Sequence, residues 1–121
     1  MKSVTKKTKS KNSKVPITTD QRSTAIFHSL NSIQGKYKIA LMARMTSGRK
    51  RMNKLIEEIP GATIRPLTTE LKELEENRLI KKYEIGTMPV IAEYELTEEG
   101  HVMNKILEEI YSMAQKRQMP S

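Results

Sequence analysis

Arg65, Thr68, Thr69 and Lys72 lie within eight consecutive residues; none is acidic, and every one can donate a hydrogen bond. Such a set suits the edges of DNA bases. A guanidinium matches guanine O6 and N7, and a threonine can meet a base edge or a thymine methyl. Covalent and metal chemistry are poorly supplied by comparison. The 121 residues contain no cysteine, hence no thiol nucleophile, disulfide or cysteine-based zinc site. The two histidines, His28 and His101, are far apart, and neither sits in an HxxxH or HExxH pattern. With no nucleophile–base pair in view, an enzyme is the weakest functional class, and no cofactor or metal is expected.

The formal net charge of +8 points to a polyanionic partner. Six of the 22 basic residues, Lys2, Lys6, Lys7, Lys9, Lys11 and Lys14, fall in residues 1–19, which hold no acid. That segment has almost no apolar side chains to offset its ordering entropy, so residues 1–19 read as a disordered lysine-rich tail. Its two readings are a solubilising leader and an arm that adds non-specific phosphate contacts. It lacks the apolar stretch of a secretory signal. No run of about 18 apolar residues exists to span a bilayer, and the tail has no apolar anchor, so no membrane partner is expected.

The elements that must hold the four side chains follow from periodicity. Asp20 or Ser23 caps a first helix carrying Ile26, Leu30 and Ile33 and ending near Gly35. A second helix over Lys36 to Ser47, apolar on more than one side, is expected to be the most buried. Met52, Leu55, Ile56 and Ile59 make a short third helix that stops at Pro60-Gly61. Thr63 caps a fourth, with Leu67, Leu71 and Leu74 as its core stripe and Pro66 tolerated in its first turn. Two strands, Leu79–Ile85 and Val90–Leu96, flank Gly86-Thr87-Met88-Pro89 as a hairpin. Thr97 then opens a last helix that runs to about Arg117. Residues 20–121 thus read as one mainly α domain with a small β-hairpin, a winged helix-turn-helix.

In a helix-turn-helix the second helix of the pair enters the major groove. With the three leucines inward, Arg65, Thr69 and Lys72 point out with Thr68 beside them, a base-reading set. Glu73, Glu75 and Glu76 gather in the half that tilts away from the groove. Arg49, Lys50, Arg51 and Lys54, around the third helix, and Lys81 and Lys82, opening the hairpin, are placed to meet phosphates. Such contacts set register without reading sequence. An ordinary solvated surface is the bland alternative for each of them.

Particular stretches resemble the HxlR-type winged-helix transcription regulators, relatives of the MarR-like proteins. They are Gly35-Lys36-Tyr37, Arg51 to Leu55, Pro60-Gly61, Leu67 to Ile80, Glu93 to Thr97 and Gly100. The resemblance implies a homodimer on a pseudo-palindromic operator, with the fourth helix in the major groove, the hairpin as a wing and the terminal helices at the dimer interface. There are departures. Many relatives carry a cysteine near the N-terminus and some sense electrophiles or oxidants through it, a mechanism excluded for a chain without one. Tyr37 replaces a common tryptophan. Ile91 stands where the wing often carries a basic residue, and the wing tip is uncharged. Arg78 stands where glycine is frequent, which predicts a less sharply turned end to the fourth helix.

The last helix bears an apolar stripe wider than one contact needs, and such a face on a terminal helix marks an interface. Met103, Ile106, Leu107, Ile110 and Met113, with Ile26 and Leu30 of the first helix, are its expected dimer residues. The chain has eight methionines, and methionine at helical spacing reads as plain core rather than as the lining of a ligand pocket. The sequence therefore predicts a dimeric regulator acting on double-stranded DNA in the cytoplasm of a prokaryotic cell, with any small-molecule effector unidentified; the family resemblance implies a repressor. The alternative is a winged-helix module that binds protein or serves as a non-specific architectural DNA binder.

Overall fold

The computed structural model describes residues 20–117; the lysine-rich tail falls outside them. The chain divides into two compact units, one ending at Gln34 and one beginning at Gly35. The first contains α1 (Gln21–Asn31). Asp20 is its N-cap: Oδ1 accepts from the Arg22 amide at 3.0 Å and Oδ2 from the Ser23 hydroxyl at 2.9 Å. Ile26 and Leu30, one turn apart on α1, are both exposed.

The second unit runs α2 (Lys38–Arg44), β1 (Lys50–Arg51), α3 (Met52–Glu58), α4 (Ile64–Glu76), β2 (Ile80–Ile85), β3 (Ile91–Leu96) and α5 (Glu98–Lys116). Three antiparallel strands form a sheet in the order β1-β3-β2. Leu41, Met42 and Met45 from α2 and its end, Leu55 and Ile59 around α3, and Leu67, Leu71 and Leu74 of α4 form the core, closed by Ile80, Tyr94 and Leu96 of the sheet. Burial pushes the Tyr94 phenol above its ordinary pKa, against the opposing pull of Lys82.

Several details depart from the sequence reading. Helix α2 begins at Lys38 rather than Lys36, because the amides of Lys36 and Tyr37 bond to a side chain of α4 instead of entering a helix. Ile39 is exposed, so α2 is apolar toward the core on one side only. The strand β1 was not expected; two residues carry no period to read. Thr63 occupies the N-cap position of α4 with extended backbone, yet its hydroxyl makes no capping bond. Arg78 does not soften the end of α4. It adopts the left-handed φ of 62° that glycine usually supplies. Its amide bonds to Glu75 O, and the Leu79 amide reaches Leu74 O at 3.0 Å, turning the chain sharply into β2.

The start of α5 is fixed at the same corner. The Thr97 hydroxyl donates to Arg78 O at 2.7 Å and accepts from the Gly100 amide at 3.0 Å. A Cβ on Gly100 would collide with the Leu79 carbonyl, so this close approach requires glycine. Gly100, Met103, Asn104 and Leu107 then share one face of α5, where Asn104 Nδ2 donates to Met42 O and Thr46 Oγ1, each at 3.0 Å. Met103 is on this inward face and only 8% exposed. It belongs to the protomer's own core, which corrects its assignment to a dimer surface.

Candidate nucleic-acid interface

The turn between α3 and α4 closes through an Ala62 amide bond to Ile59 O at 3.1 Å, with Gly61 at φ 79°. The buried Tyr37 ring lies below, and its hydroxyl donates to Gly61 O at 3.2 Å, tying the turn to the start of α2. Tyr37 is thus more than an apolar filler for the tryptophan of relatives.

Two carboxylates set α4 against α2. Glu70 accepts from the Lys36 amide at 2.9 Å through Oε2 and from the Tyr37 amide at 2.7 Å through Oε1. Gly35 allows this approach, since a Cβ there would come within 3.0 Å of Glu70 Oε1 and of Lys38 Cδ. One turn further along, Glu73 meets the buried ammonium of Lys38 at 2.8 Å. An ammonium removed from water is stable only with such a partner. Neither glutamate, nor buried Lys38, carries a sequence signal for these roles, because their partners lie more than thirty residues away in the chain. The consequence for α4 is electrostatic. Its two central acids are occupied on the side facing α2, and its outward face keeps its cations.

All four expected base-reading residues, Arg65, Thr68, Thr69 and Lys72, are exposed on α4. Among the described residues neither Arg65 nor Lys72 forms an ion pair. The threonines are more constrained than their types suggest. Thr68 Oγ1 donates to Ile64 O at 2.7 Å, and Thr69 Oγ1 donates to Arg65 O at 3.2 Å. Their hydroxyl protons are held by the helix itself. What each offers a partner is a methyl group and an oxygen lone pair.

The expected phosphate set has a different character. Arg49 stacks over the Tyr83 ring at 3.7 Å and reaches Glu93 at 3.5 Å and Glu95 at 3.9 Å. Arg51 meets the other Glu93 oxygen at 3.3 Å, directly across the β1–β3 pairing. Lys50 pairs with Glu58 at 3.3 Å, Lys54 with Glu57 at 3.4 Å and Lys82 with Glu84 at 3.5 Å. Lys81 lies 5.7 Å from the Tyr83 ring. An exposed pair such as Lys54–Glu57 is worth about 0.2–1 kcal/mol, so a phosphate can compete readily for Lys54, less so for half-buried Lys50 and least for Arg49 with its three neighbours. The wing tip has no charge, and Met88 there is 89% exposed.

A tight turn joining two helices, an outward cationic face on the second of them and a hairpin after it define a winged helix-turn-helix. The chain belongs to the HxlR-like helix-turn-helix family, whose model matches residues 32–121. It is 35% identical over 79 residues to YtcD of Bacillus subtilis strain 168, described as an uncharacterised HTH-type transcriptional regulator. That match covers 65% of this chain and 63% of YtcD, so it spans just under two thirds of that relative's length. BH0655 of Halalkalibacterium halodurans, another uncharacterised HTH-type transcriptional regulator, is 32% identical over 92 residues, covering 75% of this chain and 81% of its own. A crystal structure described as a MarR-family transcriptional regulator from Enterococcus faecalis V583 superposes with a TM-score of 0.72 at 34% identity, covering 84% of this chain and 96% of the other.

Proposed function

We propose that this protein is a transcription regulator that binds double-stranded DNA as a homodimer, setting the exposed face of α4 into the major groove of each half of a pseudo-palindromic operator. The single observation that carries the reading is the face itself. Arg65, Thr68, Thr69 and Lys72 stand exposed, while Glu70 and Glu73 of the same helix are turned to α2. Family membership and the regulator descriptions of its relatives support the same reading.

The dimer reading rests on α5. With Met103 in the core, Ile106, Ile110 and Met113 remain exposed on α5 with Leu107 half-buried beside them, and Val102 and Tyr111 extend the patch. A patch of this kind on a long terminal helix fits a second copy of the chain. Ile26 and Leu30 of α1 add further exposed apolar surface to offer a partner. Twofold symmetry then presents two α4 helices about 34 Å apart, one DNA turn. Arg49, Lys50, Arg51, Lys54, Lys81 and Lys82 meet phosphates, and the lysines of residues 1–19 add non-specific attraction. In this reading the regulator represses, and it acts in the prokaryotic cytoplasm, where its DNA is.

A gel-shift titration against the DNA upstream of the protein's own gene, with random duplex as control, tests this. Preference for the first supports the regulator; equal affinity for both favours a non-specific architectural binder. The uncharged wing tip, where Ile85, Met88 and Val90 are exposed, favours a different protein as partner instead, and failure to bind either DNA would support that reading.

A further inference from the structure

Ile64, the first residue of α4, is 63% exposed. It stands one helical turn from Thr68, on the flank of Arg65 away from Glu70 and Glu73. By residue type alone an isoleucine at a helix start resembles core. The structure leaves it outside the core and beside the reading residues. We propose that Ile64, together with the methyl group of Thr68, reads the 5-methyl group of a thymine, so that each half-site is selected by apolar contact beside the Arg65 contact. The inference rests on the DNA-binding reading above and adds to it the base class and a residue outside the polar set.

Three observations converge on this occupant. The thymine methyl is the apolar group that base pairs display in the major groove. Thr68 has its hydroxyl proton committed to Ile64 O, so the contact it has left to give is its methyl or an oxygen lone pair. Arg65 and Lys72, free of ion pairs among the described residues, supply the charge complementarity that brings a polyanion to this face. A β-branched side chain in a helix is largely confined to one χ1 rotamer, so Ile64 loses little freedom when it docks. Covering one methyl group corresponds to about a fourfold change in affinity.

The test begins by selecting sites for the full chain from a random duplex library. Each thymine of the selected site is then replaced singly by uracil, which removes only the methyl group. We expect at least one uracil substitution per half-site to weaken binding about fourfold, and the effect to shrink toward onefold in Ile64→Ala. Because Ile64 is exposed, this variant keeps its fold, which circular dichroism checks. Thr68→Ser, which removes the methyl and keeps the hydroxyl, should diminish the same effect. Specific binding that tolerates uracil at every thymine would overturn the inference and leave the regulator intact. A uracil effect unchanged in Ile64→Ala would overturn the role of Ile64. If no sequence is enriched, the DNA-reading proposal itself falls, and this inference with it.

Discussion

Replacing Glu70 by alanine removes two charge-assisted hydrogen bonds at once, those from the Lys36 and Tyr37 amides at 2.9 and 2.7 Å. Bonds to an ionised acceptor contribute about 1.5–3 kcal/mol each when the donor would otherwise lack a partner. Lys36 is exposed, so water replaces the carboxylate there at little cost. The Tyr37 amide is partly buried and bears most of the loss. The expected destabilisation of Glu70→Ala is therefore about 2–3 kcal/mol, and that of Glu70→Gln, which keeps one acceptor oxygen, about half as much. Gly35→Ala should cost about 1 kcal/mol alone, because its Cβ crowds the Glu70 carboxylate. In the Glu70→Ala background it should cost clearly less, since the carboxylate is gone and only the flexible Lys38 stem remains close to the new Cβ. Urea unfolding of the parent chain and these four variants at equal concentration measures all of these values. Additive losses, or a Glu70→Ala change below about 0.5 kcal/mol, would refute the claim that this carboxylate holds α4 against α2.

Three further outcomes are expected. Arg78→Gly should stabilise the chain by about 0.5–1 kcal/mol in the same assay, because it relieves a left-handed arginine worth about 1–2 kcal/mol and gives part of that back as unfolded-state entropy. Ile110→Glu should leave helix content intact in circular dichroism, since the residue is exposed in the protomer, yet sediment as a monomer at micromolar concentration because a carboxylate cannot enter an apolar twofold contact unpaired. Lys54→Ala should weaken binding to every DNA alike and flatten the dependence of log affinity on log salt by roughly one unit.

How far the sequence was legible depended on how local the signal was. The spacing of Leu67, Leu71 and Leu74 places α4 and its buried stripe, and all three are buried. The β-branched and aromatic residues on either side of Gly86-Thr87-Met88-Pro89, a connection of hairpin length, mark the hairpin, whose strands pair from Ile80↔Leu96 to Ile85↔Ile91. The exposure of Arg65, Thr68, Thr69 and Lys72 follows from the same helical period. What stayed hidden depends on partners distant in sequence. Glu70 and Glu73 look like any solvated glutamates until α2 is laid beside them, and Met103 looks like the rest of the α5 stripe until its face is seen to carry Gly100 and Asn104 inward. Arg78 shows that a turn can persist after its usual residue is lost, because the Schellman bonds and the Thr97 hydroxyl hold the conformation.

Whether the outward face of α4 reads base pairs is decided by Arg65→Ala. Its affinity should be measured against every single-base variant of the selected site and against random duplex. Discrimination should collapse at one base pair per half-site, a loss of roughly 1–3 kcal/mol on the preferred base, with affinity for random DNA nearly unchanged. Uniform weakening on all sequences, with the base preferences intact, would make Arg65 a phosphate contact and contradict the account.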